Sequence, residues 1–310
     1  MSTLPVIAAV DGSPDSDRAL RWAAGEAGRR GVPLEVVHIW PYVTKMQPVT
    51  PDAVVPVSVP TEDEDPVLNA ARQLLESLPD GPPELRRRTI GGDPGHDLPE
   101  LGAQAALLVL GSRGRGGFAS LLLGSNGLAC AARAASPVVV VPRPADETDE
   151  AAEERAEGAG GDGRPYGRIA LGLAPSPEAN AATGYAFEAA ARSGAVLQVV
   201  SGYPEPVTLA SAYEFVLPYE RETAEFAASL KHEVSAHLAP HRERHPEVEV
   251  EVRAEPGDAA GQLVDASQAA DLVVVARRRR RLTIGHHLGS VAHAVLLHSA
   301  CPVAVVPDSD

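Results

Sequence analysis

The chain has 310 residues, 44% apolar and 22% charged, which is material for two domains of about 150 residues each and excludes a disordered or collagen-like chain. Its 27 basic against 42 acidic residues give a net charge of -15, a field that repels phosphate backbones and anionic lipid heads, so neither nucleic acid nor a membrane is expected as a partner. Two cysteines, Cys130 and Cys301, cannot build a disulfide framework or a four-thiolate zinc site and read as buried packing residues in a reduced compartment. The first residues lack the basic and long apolar regions of a signal peptide, and apolar runs such as residues 105–110 fall far short of the about 20 a membrane helix needs; a cytoplasmic protein is expected.

In chain order, residues 4–10 read as a buried strand. Residues 15–30 read as a helix with Leu20, Ala23, Ala24 and Ala27 on its apolar face and Gly31 placed to end it. A second strand over 34–40 is followed by a long Pro- and Val-rich loop and a helix over 66–78. A strand over 84–90, a helix over 95–105 and a strand over 106–111 come next. A glycine-rich loop, a helix opening near Ser125 and a strand over 138–141 complete the set. Strands alternating with helices predict a parallel sheet covered on both faces, whose ligands bind beyond the carboxyl ends of the strands, where the strand order reverses.

The same text is then written again. Val10-Asp11-Gly12-Ser13-Pro14-Asp15 aligns with Leu173-Ala174-Pro175-Ser176-Pro177-Glu178 at an offset of 163 residues, and Val36-Val37-His38-Ile39-Trp40-Pro41 aligns with Val199-Val200-Ser201-Gly202-Tyr203-Pro204. At an offset of 165, Gly92-Asp93, Leu98, Leu123-Gly124-Ser125 and Pro137-Val138 meet Gly257-Asp258, Leu263, Leu288-Gly289-Ser290 and Pro302-Val303. Matches that keep their order over a whole unit mean two homologous domains, over 1–143 and 168–310. Residues 144–167, acidic and Gly-rich, read as a solvated linker with room for a short helix over 149–157.

In the first half, strand four runs into Gly111-Ser112-Arg113-Gly114-Arg115-Gly116-Gly117-Phe118 and then Gly124-Ser125-Asn126, which opens a helix. Glycines let the backbone approach a ligand closely, and the free amides and dipole of a helix start suit a phosphate. Ser125 can cap that helix or reach a phosphate oxygen, and Arg113 and Arg115 add positive charge. Asp11, at the end of strand one, can accept from ribose hydroxyls or cap the first helix.

The spacing Gly111, two residues, Gly114, nine residues, Gly124-Ser125 resembles the nucleotide-binding signature of the universal stress protein family. The Val-Asp-Gly-Ser start, the Val-His-x-Trp end of strand two, the Gly-Asp before the third helix and the closing Ser-Pro-Val-Val-Val-Val-Pro resemble it too. That resemblance implies two tandem doubly wound, five-stranded parallel-sheet domains of adenine nucleotide alpha hydrolase-like type, and ATP, with Mg²⁺ as its accompanying ion, in the first. It places Ala9, Asp11, Ile39, Leu110, Gly111, Gly114, Gly124, Ser125 and Asn126 around the nucleotide: Ile39 and Leu110 on the adenine, Asp11 on the ribose, the glycine loop on the phosphates. The second half departs from the signature, with Ala174 for Asp11, Ala276 for Gly111 and Arg279 for Gly114. It is expected not to bind ATP in that manner but to partner the first half in an intramolecular pseudo-dimer, through the last strands of the two halves. A homodimer of chains stays open.

Other features carry plainer readings. The five arginines 277–281 read as a solvated loop. His232, His237, His241 and His245 look like a ligand cluster, but Pro240 is expected to interrupt the helix that would align them; His286 and His287 read as surface residues. His38, near the expected cleft, reads as a hydrogen-bonded structural histidine. Among function classes, a P-loop enzyme would need a lysine where Leu123-Gly124-Ser125 stands. No base is positioned to activate a nucleophile and no acidic pair marks a metal site. A nucleotidyl transferase would need paired histidines after strand one. A phospho-acceptor receiver would need an acid after strand three, where Arg88-Thr89-Ile90-Gly91 has none. The expected protein is thus a non-enzymatic ATP binder of a stress response, with a slow ATPase or phosphotransferase and a nucleotide-free scaffold as alternatives.

Overall fold

A computed structural model describes residues 4–41, 59–79, 81–114, 123–143, 166–203, 217–277 and 288–308. The chain divides into two compact units, Met1–Arg164 and Pro165–Asp310. The predicted short helix at 149–157, most of the arginine run, Arg115 to Phe118, His286 and His287 lie outside the described residues.

The first unit runs β1 (Val6–Ala9), α1 (Pro14–Arg30), β2 (Leu34–Pro41), α2 (Pro66–Glu76), β3 (Leu85–Gly92), α3 (Pro94–Leu101) with a 3₁₀ turn over Gly102–Gln104, β4 (Leu107–Gly111), α4 (Ser125–Arg133) and β5 (Val138–Val141). Its strands lie in the order β3-β2-β1-β4-β5, and every pairing is parallel, with Val6 opposite Leu34 on one side and Leu107 on the other. Successive residues Val6, Ile7 and Ala8, and likewise Leu107, Leu108 and Val109, are fully buried. Alternate side chains of a strand point to opposite faces, so both faces of this sheet are covered. The order reverses between β1 and β4, and it is there that the glycine loop leaves the sheet.

Local chemistry fixes α1. The Ser13 hydroxyl accepts from the Ser16 amide at 3.2 Å, Pro14 stands in the first turn, and Gly31 closes the helix in the left-handed region at φ 63°. Glu26 is buried beneath Arg29 and Arg30, at 2.9 and 2.6 Å. Burial works to raise its pKa, but the two guanidinium groups outweigh that and hold the carboxyl below its ordinary value. At α2 the N-cap is Asp65, fully buried, whose Oδ1 accepts from the Val67 and Leu68 amides at 2.9 and 3.3 Å. Its Oδ2 accepts from Thr89 at 2.9 Å and lies 2.7 Å from His38 Nδ1. His38 is therefore a hydrogen-bonded residue tying β2, β3 and α2 together.

The second unit repeats the plan as β6 (Arg168–Gly172), a 3₁₀ turn (Pro177–Ala179), α5 (Asn180–Ser193), β7 (Val196–Tyr203), α6 (Leu217–Arg244), β8 (Val250–Pro256), α7 (Ala259–Ser267), β9 (Leu272–Ala276), α8 (Ser290–His298) and β10 (Val303–Val306). Its strand order is β8-β7-β6-β9-β10, again parallel. One expectation fails here: Pro240 does not interrupt α6, which continues to Arg244. Proline so near the end of a helix forfeits a single backbone bond, while fully buried Val234 and Leu238 and buried His241 hold the helix in place.

Cys130 and Cys301 are free and buried. Burial pushes their thiols up to about 12 and about 11, so both are unreactive packing residues. Among the described residues no helix is long and apolar enough to cross a membrane.

Candidate functional site

The carboxyl ends of β1, β2 and β4 converge in the first unit. Ala9 closes β1 opposite Val37. Asp11 follows, half-buried, and Gly12 turns the chain at φ 74°, a conformation that favours glycine. Asp11 Oδ1 accepts from the Ser13 amide at 3.0 Å, so Asp11 braces the turn before α1 while Ser13 is the cap. Its other oxygen faces the glycine loop: a β-carbon on Gly114 would stand 2.5 Å from Asp11 Oδ2. Only a residue without a side chain lets the loop come this close to the carboxylate.

The loop is pinned where it leaves and where it returns. Gly111, the last residue of β4, lies against the backbone of Asp15 in α1. The Ser112 amide donates to the Val141 carbonyl at 2.9 Å, and the Ser112 carbonyl accepts from the Gly124 amide at 2.7 Å. Thus Gly124 comes back beside the point where the chain departed. Ser125 and Asn126, both exposed, open α4. Of the two roles open to Ser125, the cap falls to Gly124 instead, and among the described residues no side chain accepts from the first amides of α4. Those amides keep their donor capacity for another partner.

Leu110 and Ile39, the two apolar residues expected at the site, are both buried. Leu110 Cδ1 would lie 3.7 Å from a β-carbon on Gly127 of α4, and Ile39 Cγ2 would lie 3.8 Å from one on Gly92, beside α3. Asn126 reaches toward α3, its Oδ1 3.6 Å from where Gly95 would carry a β-carbon. The fold therefore pairs Asp11 with Gly114, Gly111 with α1, Gly124 with Ser112, and Asn126 with the start of α3. Ala9 is placed by sheet register alone.

Arg113, expected to add positive charge here, is paired with a carboxylate of α1. Its Nε lies 3.4 Å from Asp15 Oδ2, and Arg143 Nε lies 3.1 Å from Oδ1 of the same carboxylate, which also pairs with Arg18. Ser112 Oγ donates to Asp15 at 3.3 Å. Asp15 is buried, and three guanidinium groups around one carboxylate leave the neighbourhood net positive. Arg113 thus anchors the loop to α1 instead of standing free for a phosphate. Asp15 is not legible as a site residue in the sequence because its partners Arg113 and Arg143 are remote along the chain.

Two clusters could suggest metals. His96, Asp97 and Glu100 bring one ligand atom each within 4.8 Å of one another at the start of α3. His96 and Glu100 are exposed; the hydrogen bond that His96 donates to Asp97 raises the His96 pKa and lowers that of Asp97. This is ordinary pairing on a helix surface. In the second unit His237 and His241 share one face of α6 but turn to α5: His241 stacks on Phe187 with ring centres 5.5 Å apart, and His237 Nε2 lies 3.1 Å from Thr183 Oγ1. They are packing residues.

The universal stress protein family model matches residues 4–142 and 165–307. A universal stress protein of Mycobacterium tuberculosis is 30% identical over 314 residues, spanning 98% of this chain and 97% of that protein. A second from the same organism is 28% identical over 320 residues, spanning 98% and 95%. The crystal structure of a universal stress protein from Archaeoglobus fulgidus superposes with a TM-score of 0.60 at 17% identity, covering 98% of both chains, a likeness of fold.

Proposed function

Because the chain belongs to the universal stress protein family, we propose that its first unit binds ATP, with its Mg²⁺, as a regulatory or stabilising ligand in a stress response. The observation that carries this reading is the side-chain-free approach of Gly114 to Asp11. A carboxylate suited to ribose hydroxyls, glycines that leave room for a phosphate chain, and a helix start capped by a glycine support it. Ala9, Ile39 and Leu110 supply apolar surface for the adenine. Gly111, Gly114 and Gly124 give backbone room, and Ser125 and Asn126 offer polar atoms to the phosphates. The net-positive surroundings of Asp15 favour the anion.

Binding is proposed in preference to turnover because no lysine stands before Ser125, where phosphoryl-transfer loops carry one. Isothermal titration of the full chain with ATP, ADP, AMP and cyclic AMP tests the reading. Saturable ATP binding near one equivalent per chain is expected, and no binding by any of the four would end it. A steady-state phosphate-release assay at saturating ATP separates a ligand from a substrate: release at several turnovers per second would make the protein an enzyme.

A further inference from the structure

Asp15 lies in the first turn of α1 with its side chain 2% exposed, against the two residues that lead into the glycine loop. Ser112 Oγ donates to its Oδ2 at 3.3 Å, and Arg113 Nε stands 3.4 Å from the same oxygen. Arg143 Nε donates to Oδ1 at 3.1 Å, and Arg18 pairs with Oδ1 from within α1. A carboxylate that accepts from charged donors makes the stronger class of hydrogen bond, and burial removes much of the screening that blunts such pairs at a surface. The positive end of α1 adds to the hold. Asp15 therefore fixes two consecutive loop residues by their side chains, in addition to the backbone contact that Gly111 makes with it.

Both ends of the loop depend on those two residues. The Ser112 carbonyl accepts from the Gly124 amide at 2.7 Å, and a β-carbon on Gly124 would stand 3.7 Å from Arg113 Cα. Gly114, next in the chain after Arg113, is the residue whose β-carbon would stand 2.5 Å from Asp11 Oδ2. The spacing of Asp11, Gly114 and Gly124 is thus set from Ser112 and Arg113, and these two are held by Asp15. The second half, whose loop departs from the glycine signature, departs here as well. In the repeat Glu178 stands for Asp15 and Ala181 for Arg18, while Arg277 stands for Ser112 and Asp308 for Arg143. An arginine for a hydroxyl and an acid for an arginine reverse the charge pattern, so the set of partners around Asp15 accompanies the glycine loop and changes with it.

We propose that Asp15 is a positioning residue of the nucleotide site: it holds the loop in the form that takes the β- and γ-phosphates, and so governs how strongly the site prefers a nucleoside triphosphate to a monophosphate. The inference rests on the nucleotide reading and adds to it a determinant of ligand class. A loop already held does not have to be ordered on binding; a released loop weakens the hold on the phosphate chain and leaves the base and ribose contacts in place. The test is calorimetric titration of the full chain, wild type and Asp15→Asn, with ATP and with AMP, beside hydrogen exchange of the ligand-free proteins. Asp15→Asn keeps the size of the side chain and removes its charge. ATP affinity should fall by about tenfold or more and AMP affinity by less than about threefold, while the Ser112 and Gly124 amides should exchange at least about tenfold faster. Should that variant fail to fold, Ser112→Ala, which removes one hydroxyl from the same carboxylate, should shift the ATP-to-AMP ratio in the same direction by about threefold or more. Wild type that binds no ATP would end the nucleotide reading, and this inference with it. Wild type that binds ATP beside a folded variant with an unchanged ATP-to-AMP ratio, whether both affinities fall alike or neither falls, would overturn the role of Asp15 alone. So would a shifted ratio with wild-type exchange at both amides.

Discussion

Gly111 and Asp15 meet backbone to backbone: a β-carbon on Gly111 would come 2.6 Å from both the carbonyl carbon and the carbonyl oxygen of Asp15. The second unit supplies the comparison. It has Ala276 at this point, and there the helix after the first strand opens with a 3₁₀ turn over Pro177–Ala179 and becomes an α-helix only at Asn180, whereas α1 is α-helical from Pro14. A methyl group at the end of β9 and a rewound first turn thus occur together in the second unit. Gly111→Ala should force the same change on α1, loosening Asp15 from its arginines, at a cost of about 1–3 kcal/mol for an overpacked contact. Urea unfolding of the variant would show it as a lower midpoint with the slope unchanged; a wild-type midpoint would mean that the contact relaxes freely.

Gly114 makes a separable prediction, because its neighbour is the end of a side chain and not backbone. Adding a side chain there displaces the Asp11 carboxylate and leaves the core alone. Gly114→Arg, which copies Arg279 of the second half, should reduce ATP affinity at least about 100-fold, while Asp11→Ala should cost about 10- to 100-fold, the worth of hydrogen bonds to a charged acceptor. Both should keep the wild-type far-ultraviolet circular dichroism. Titration calorimetry on the two variants decides the matter, and unchanged affinity in Gly114→Arg would remove the loop from the site.

What could be read from sequence was what neighbours along the chain determine. The apolar face at Leu20, Ala23, Ala24 and Ala27, with Gly31 to end it, announced α1, and the repeat at fixed offsets announced the second unit. What escaped depended on partners distant in sequence. Asp65 looked like loop, yet it caps α2 and binds His38 and Thr89 from two strands. Arg113 read only as added positive charge, and its partner Asp15 lies 98 positions back in the chain. Pro240 misled because its cost is local and visible in the sequence, whereas the packing that overrides it comes from other elements. For Ser125 the residue type alone left a cap and a phosphate contact both open, and the fold puts Gly124 in the cap position.

The Asp65 trio should be among the costlier places to cut. Burial works against its charge, but hydrogen bonds from His38 and Thr89 and from the helix amides outweigh that and lower the carboxyl pKa. Replacing Asp65 with Ala strands a histidine, a hydroxyl and two amide donors in a buried site, at about 3 kcal/mol. Because the folded pKa lies below the unfolded one, the contribution of Asp65 is complete above the unfolded carboxylate pKa and is lost as pH falls through the folded value. Wild type and Asp65→Ala should therefore differ in stability at pH 7 and converge toward pH 2. A constant difference in urea midpoint across that range would show that the charge of Asp65 contributes nothing.

A different group governs the second unit at milder acidity. His241 is buried against Phe187, with Arg244 Nη2 3.3 Å from its Nδ1. Burial first, then the positive charge of Arg244 and the neighbouring His237 and His245, lowers its pKa to about 4. His237, also lowered by burial, acts in the same sense; Thr183 gives its own proton to the Ala179 carbonyl at 2.8 Å, so His237 must donate from Nε2 to the Thr183 oxygen. Between pH 6.5 and about 4 the unfolded chain takes up protons that the folded unit refuses, so stability declines as pH falls through that window and levels off below it. The His241 share is on the order of 1–2 kcal/mol once partial solvent screening is allowed for. His241→Phe keeps a ring on Phe187 and removes the titration; its urea midpoint should fall less between pH 7.5 and 4.5 than that of wild type, with the remaining slope due to His237. Parallel declines in the two proteins would mean that α6 opens to protonate His241 without loosening the second unit.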